Sequence, residues 1–480
     1  MKAAKSRSDT KTQLHYSPQD GSFGDPMPFF WEGRYHLFYL GRGGWRHLVS
    51  ENLVQWTQLP LAVPIGAPGE PDSAQAASGS IIEREGTFHI FYLGRSAGDR
   101  GVIGTVCRTT SPDLVHWEKD PGNPIITPDY ERYSGVTKDP FVFWNEQAQQ
   151  YWMLIADRLQ GAPTARKGML ALAVSRDLER WERREEPFWA PDTSTCEFEV
   201  PDLFEWNGRW YLIYTTYVES TGSFYRVADQ VTGPWLAPAV DTFDDNAYYA
   251  VKTASDGKRR FAFGWVTAGW KPERAEGIEK VPGGTKEVLA IREVTQRPDG
   301  SLAFQCPPEI LRSCGPVIPA ELQPQVGEWS AQGRRLCARR IDGLAFALAQ
   351  DVPDDLLVEL TIRLKPDARS AGIIFRTTSD LARGYMVRLQ PSLGRVAFEG
   401  WPRVRGEHPF MVQQPLRPDQ FNWEKPITVQ LLIDGTIAEV FVDHQVALVT
   451  RIYDHADGGV ALFVEHGEAD FDDITFKSLP

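Results

Sequence analysis

The chain has 480 residues, about three times the length of an ordinary domain, so two domains or one large domain with an attachment are expected. Hydrophobic residues make up 42% and charged residues 24%, values of a globular protein that exclude a disordered chain. The 51 Lys and Arg against 64 Asp and Glu leave a net charge of −13, which removes the electrostatic case for nucleic acid or an anionic membrane as partner.

Five cysteines lie far apart with no closely spaced pair, which argues against a disulfide framework or a structural zinc. The start, MKAAKSRSDTKTQ, carries no apolar core of a signal peptide, so a cytoplasmic protein is expected, or a secreted one if a leader has been removed. No run of about 18 apolar residues is present, so no membrane span is expected.

Four stretches share a pattern: GDPMPFFWEGRYHLFYLGR from Gly24, ASGSIIEREGTFHIFYLGR from Ala77, KDPFVFWNEQAQQYWMLIADR from Lys138 and EVPDLFEWNGRWYLIYTTY from Glu199. Each has a short apolar run, a turn and an aromatic-rich run, as a β-hairpin requires. Three are followed by Ser-x-Asn/Asp-Leu-x-x-Trp, ending at Trp56, Trp117 and Trp181, whose recurrence marks them as packing residues. A looser fifth copy starts at Asp241. The copies start roughly 42 to 61 residues apart, the size of a four-stranded blade, so the fold class is all-β with a five-bladed propeller over residues 1–310. A Pro- and Gly-punctuated linker is expected at 311–325 and a β-sandwich over 326–480, where strands alternate with Asp-Gly and Pro turns. One short helix is expected at 352–357.

The inner strand of a propeller blade starts at the channel mouth. Three such starts carry acids: Asp25 and Asp139 directly before proline, and Glu199 two residues before one. Proline is tolerated at a strand start, and the residue before it is expected to be extended. Three carboxylates from three blades would then converge. Such a gathering is costly, because each ionised acid disfavours ionisation of the next. Without a metal it suits a glycosidase, in which one carboxylate attacks the anomeric carbon, another donates a proton and a third binds hydroxyls.

The order of these motifs resembles glycoside hydrolase family 32, the invertase, inulinase and levanase family, over nearly the whole chain. Gly24-Asp25-Pro26-Met27-Pro28 resembles its Asn-Asp-Pro-Asn-Gly box, Lys138-Asp139-Pro140 its Arg-Asp-Pro box, and Glu199-Val200-Pro201-Asp202 its Glu-Cys-Pro-Asp box. Trp45 to Ser50 is similar to its Trp-Gly-His-Ala-Val-Ser segment, and Ala77 to Ser80 to its Phe-Ser-Gly-Ser segment. Phe441 to Asp443 and Arg451 to Tyr453 look like its C-terminal sandwich. The resemblance implies Asp25 as nucleophile, Glu199 as general acid and then base, and Asp139 as transition-state stabiliser, with no metal or other cofactor. Retention implies carboxyls of Asp25 and Glu199 roughly 5–5.5 Å apart.

Substrate contacts are expected from Trp45, Ser78, Lys138 and Tyr249. The expected partner is a small fructoside or oligosaccharide, and the chain is expected to be a monomer or homodimer. Gly24, Met27, Pro28 and Leu40 depart from the family pattern and remove polar groups expected near the sugar; Lys138 and Val200 replace its Arg and Cys. Asp202 is expected either to tune Glu199 or to hold a turn. His36 and His89 occupy equivalent repeat positions and are expected to be structural. Cys196 lacks an identifiable His or Asn partner and is not assigned as a nucleophile. The expected activity is exo-acting cleavage of β-fructofuranosidic bonds. Alternatives are a related arabinan-type furanosidase, a fructosyltransferase or a non-catalytic carbohydrate-binding relic.

Overall fold

The structure is a computed structural model that describes residues 11–12, 14–98, 101–133, 135–161, 167–191, 195–217, 221–267, 287–401, 412–415 and 421–480. It is all-β, a five-bladed propeller and a β-sandwich, with one short α-helix among the described residues. Blade one comprises Gly24–Trp31, Arg34–Gly41, Gly44–Ser50 and Gln55–Pro64, with Lys11–Thr12 added at its outer edge. Blade two comprises Gln75–Arg84, Thr87–Gly98, Gly101–Ser111 and Glu118–Lys119. Lys138–Asn145, Gln150–Arg158, Gly168–Ser175 and Glu182–Arg183 form blade three. Blade four has Glu199–Trp206, Arg209–Thr216 and Gly222–Ala228, and blade five Tyr248–Ser255, Arg260–Val266, Val288–Gln296 and Leu302–Gln305.

The hairpins form where the sequence supplies their turns. Glu32-Gly33, Glu85-Gly86 and Asn207-Gly208 all have positive φ at both residues, the mirror-image turn that matches strand twist. The Ser-x-Asn/Asp-Leu-x-x-Trp repeat is also a turn. Asn52, Asp113 and Asp177 each accept two following backbone N–H groups; Leu53, Leu114 and Leu178 then take φ of 64°, 64° and 65°, and each Trp indole donates to its Leu carbonyl.

The core lies between neighbouring blades. Met27, Phe38, Trp45 and Val63 of blade one pack with Ile90 and Tyr92 of blade two. Phe91 and Val106 meet Val142 and Met153 of blade three, and Leu154 and Leu170 meet Leu203 and Leu212 of blade four. The ring closes where Tyr35 of blade one donates to Asp256 at 3.3 Å and packs edge-on against Phe261 of blade five. His36 and His89 are buried, and burial pushes both down to about 4, which suits neutral packing residues.

The chain divides into two compact units: Met1–Phe243 with Tyr248–Trp265 and Glu287–Ala290, and Asp244–Ala247 with Val266–Lys286 and Ile291–Pro480. In the second, the 20-residue strand Gly459–Ser478 pairs in turn with Arg335–Ala349, Leu356–Leu364 and Ser370–Thr377. The expected helix at 352–357 is absent. Leu356, Leu357 and Val358 are instead buried at the start of a strand, in ladder with Ile433, Leu432 and Leu431. The helix is Pro308–Ser313, opened by proline with Ile310 turned inward.

Candidate active site

The inner strands of blades one to four begin with a break in register, between Gly24 and Met27, Ala77 and Gly79, Lys138 and Phe141, and Glu199 and Asp202. In blades one, three and four a residue in the break has positive φ, 26° at Asp25, 54° at Asp139 and 44° at Val200; Ala250 in blade five has 53°. This corrects the extended backbone expected ahead of proline. The bulge overrides that preference, easily at Asp and with strain at β-branched Val. A bulge re-aims side chains. Here it gives Gly24, Lys138, Glu199 and Tyr249 one equivalent position and Asp25, Asp139, Val200 and Ala250 the next.

The three acids are tied together by their neighbours. Asp139 accepts the Val200 backbone N–H at 3.1 Å, across from blade three to blade four. Asp25 accepts from the Ser78 hydroxyl of blade two and from the Trp265 indole of blade five at 3.2 Å. Glu199 accepts from the Tyr249 hydroxyl and from the Lys138 ammonium, both at 2.5 Å. Tyr249 and Trp265, which hold the two outer acids, meet edge to face with centroids 5.6 Å apart.

Burial pushes the Asp25 carboxyl up, opposed by its bond from Ser78; Asp139 adds to the rise, and Trp265 and Lys138 oppose it. Glu199 is also raised, chiefly by burial, with Lys138 the main opposing charge and Asp139 adding to the rise. Burial and the charge of Glu199 push the Tyr249 phenol up, so it stays a donor. Nothing in the sequence singles out Lys252. Its buried ammonium donates to the Pro201 carbonyl at 2.6 Å; burial pushes it down, and Asp202, Asp139 and Asp25 hold it up.

Of the residues expected to touch sugar, Tyr249 lies against Glu199, and Ser78 and Lys138 are buried on the acids themselves. Trp45 is fully buried between blades one and two, and its indole donates to the Ala77 carbonyl at 2.8 Å. It has no exposed face for the expected substrate contact, and it anchors the Ala77-Ser78 segment instead. Met27 likewise points into the core, where its sulfur accepts from the Gly79 N–H at 3.3 Å. Gly24 and Leu40 remain paired at the strand start. Asp202 neither holds a turn nor touches Glu199 directly: it accepts from the Thr253 N–H at 2.8 Å and hydroxyl at 2.7 Å, pinning blade five. Trp265 and Glu197, like Lys252, carry no signal in the sequence that marks them. Glu197 is a buried carboxylate in contact with both Lys138 and Arg158.

Two family models match the chain: the glycosyl hydrolases family 32 N-terminal domain over residues 15–281 and the family 32 C-terminal domain over residues 348–478. A levanbiose-producing levanase of Bacillus subtilis is 23% identical, over 99% of this chain and 92% of its own length. The Arabidopsis thaliana beta-fructofuranosidase insoluble isoenzyme CWINV1 is 26% identical over 57% of this chain and 53% of its own, so the chain spans about half the length of the plant relatives it matches. Among solved structures, exo-inulinase from Aspergillus awamori superposes with a TM-score of 0.72 at 17% identity, covering 98% of each chain. A Bombyx mori beta-fructofuranosidase superposes with a TM-score of 0.71 at 17% identity, over 98% of this chain and 94% of its own. With both family models matched in order and the fold shared over its length, the chain belongs to glycoside hydrolase family 32.

Proposed function

We propose that the chain is a retaining, exo-acting glycoside hydrolase that cleaves β-fructofuranosidic bonds in sucrose, fructo-oligosaccharides or fructan ends, with its chemistry in the propeller, residues 1–310, followed by a linker at 311–325 and the sandwich at 326–480. The observation that carries this reading is the set of three carboxylates on bulged strand starts of three blades, Asp25, Asp139 and Glu199, each held by a donor from a neighbouring blade. Asp25, with two donors on its oxygens, attacks the anomeric carbon as the bond to the leaving oxygen breaks. Glu199, whose ionised form is disfavoured by burial, gives its proton to that oxygen. Glu199 then takes a proton from the water that releases fructose from Asp25. Asp139 binds sugar hydroxyls and favours the cationic transition state. Ser78 and Trp265 position Asp25, and Lys138 and Tyr249 position Glu199. Trp45 acts through the Ala77-Ser78 segment.

The test is sugar release from sucrose, inulin, levan, short fructo-oligosaccharides and aryl arabinofuranosides by the wild type, Asp25→Asn and Glu199→Gln. Fructose release by the wild type that drops by about 10³-fold or more in Asp25→Asn is expected, as for loss of a nucleophile. Arabinose release, or fructose release untouched by either substitution, would overturn the assignment.

A further inference from the structure

Lys138 is the one cation that touches Glu199 among the described residues, and a lone cation beside a general acid is a liability. It favours the ionised carboxylate, which has no proton to give. The Tyr249 hydroxyl on the other oxygen of Glu199 acts in the same direction. Lys138 is not devoted to Glu199, however. Its ammonium also contacts one oxygen of Glu197, and Arg158 contacts the other. The Lys138 and Glu197 side chains are each 5% exposed, so water screens this arrangement little. A lysine suits this place, since its three donors rotate freely and can serve two carboxylates at once.

We propose that Glu197 is a positioning residue that shares the Lys138 ammonium with Glu199 and so withholds part of that positive charge from the proton donor until the proton leaves. The proposal rests on the reading of Glu199 as the acid. The O–H bond of Glu199 breaks as the leaving oxygen gains the proton, the bond from that oxygen to the anomeric carbon breaks, and a bond from Asp25 forms. The new Glu199 carboxylate then meets an ammonium 2.5 Å away. The groups facing Glu199 are Lys138 and Asp139 from blade three and Tyr249 from blade five; Glu197 and Arg158 face it only through Lys138.

Removing the charge of Glu197 gives Lys138 wholly to Glu199, so the acid loses its proton at lower pH. In Glu197→Gln, the alkaline limb of kcat/KM against pH, on the fructoside that the wild type cleaves best, is expected to move down by about one pH unit, a tenfold loss on that limb. Lys138→Gln is expected to move it up, and Lys138→Arg to hold it near the wild type. The second readout needs no turnover: in protein labelled with ¹³C-glutamate, the carboxyl resonance that disappears in Glu199→Gln is titrated in each folded variant. Opposite shifts in Glu197→Gln and Lys138→Gln support the proposal. A limb and resonance that stay put in Glu197→Gln would overturn it, even if activity or thermal stability falls. If Glu197→Gln does not fold, Arg158→Gln decides: it leaves Glu197 wholly to Lys138, so limb and resonance are expected to move up, and their staying put would overturn the proposal. A wild type that releases no fructose, with a Glu199 resonance that still moves as expected, would sink the fructosidase reading and leave the charge sharing standing.

Discussion

Lys252 stands behind the acids with its ammonium on the Pro201 carbonyl, close enough for Asp25, Asp139 and Asp202 to hold its charge. Replacing it with Met removes a cation that favours ionised Asp25. The acid limb of kcat/KM, which reports the ionised nucleophile, is then expected to move to higher pH, and the plateau to fall by about 10- to 100-fold, in line with the 1.5–3 kcal/mol of a charged hydrogen bond. Unchanged pH profiles in Lys252→Met would show that the charge is irrelevant to Asp25. The difference between this residue and the acids also marks what a sequence can say. Asp25, Asp139 and Glu199 are legible because prolines punctuate their strand starts. Blade five carries Tyr-Ala-Val-Lys at the same place, with neither acid nor proline, and Trp265 comes from the next strand over. Trp45 departs from its expected contact for a related reason: being near a motif in sequence does not say which face of a strand a side chain takes.

Among the elements, the Ser-x-Asn/Asp-Leu-x-x-Trp turn is the unit that makes the blades alike. Its acceptor is the Asn or Asp oxygen, and in Asp113 and Asp177 the bonded N–H groups hold the carboxyl below its ordinary value, at about 2 for Asp177. Asp177→Ala removes an acceptor from the Glu179 and Arg180 N–H groups and is expected to destabilise the chain by about 1 kcal/mol, as loss of a cap does, whereas Asp177→Asn keeps the acceptor and costs less. Urea unfolding of the two variants checks the order; equal losses would mean that the charge and not the acceptor matters. Glycine-bearing turns make the hairpins readable. The sandwich is harder. The last clear apolar run of the sequence, GGVALFVEH, stops at His466, but its strand continues to Ser478. His466 and Asp473 bend it through positive φ, and the acidic run between them has the composition of a loop. Pairing with Arg335–Ala349 and Leu356–Leu364 keeps that run extended.

Over the whole molecule, the −13 net charge coexists with charges buried deep inside. Arg292 of the second unit is fully buried and bonded to Asp244 at 2.6 Å and Glu439 at 2.7 Å. Arg292→Met would leave two buried carboxylates without this guanidinium, and a loss of about 3–5 kcal/mol is expected, read as an earlier urea midpoint. A change below about 1 kcal/mol would mean that solvent reaches the site in the variant. No local pattern announces such a triad, because its members lie far apart in sequence. The long strand Gly459–Ser478 has a consequence for biosynthesis. Translation delivers it after all three strands it pairs with, so while the ribosome is still working the edges of Arg335–Ala349, Leu356–Leu364 and Ser370–Thr377 lack their natural neighbour. Nascent chains stalled before Gly459 would present bare sheet edges to chaperones and to one another.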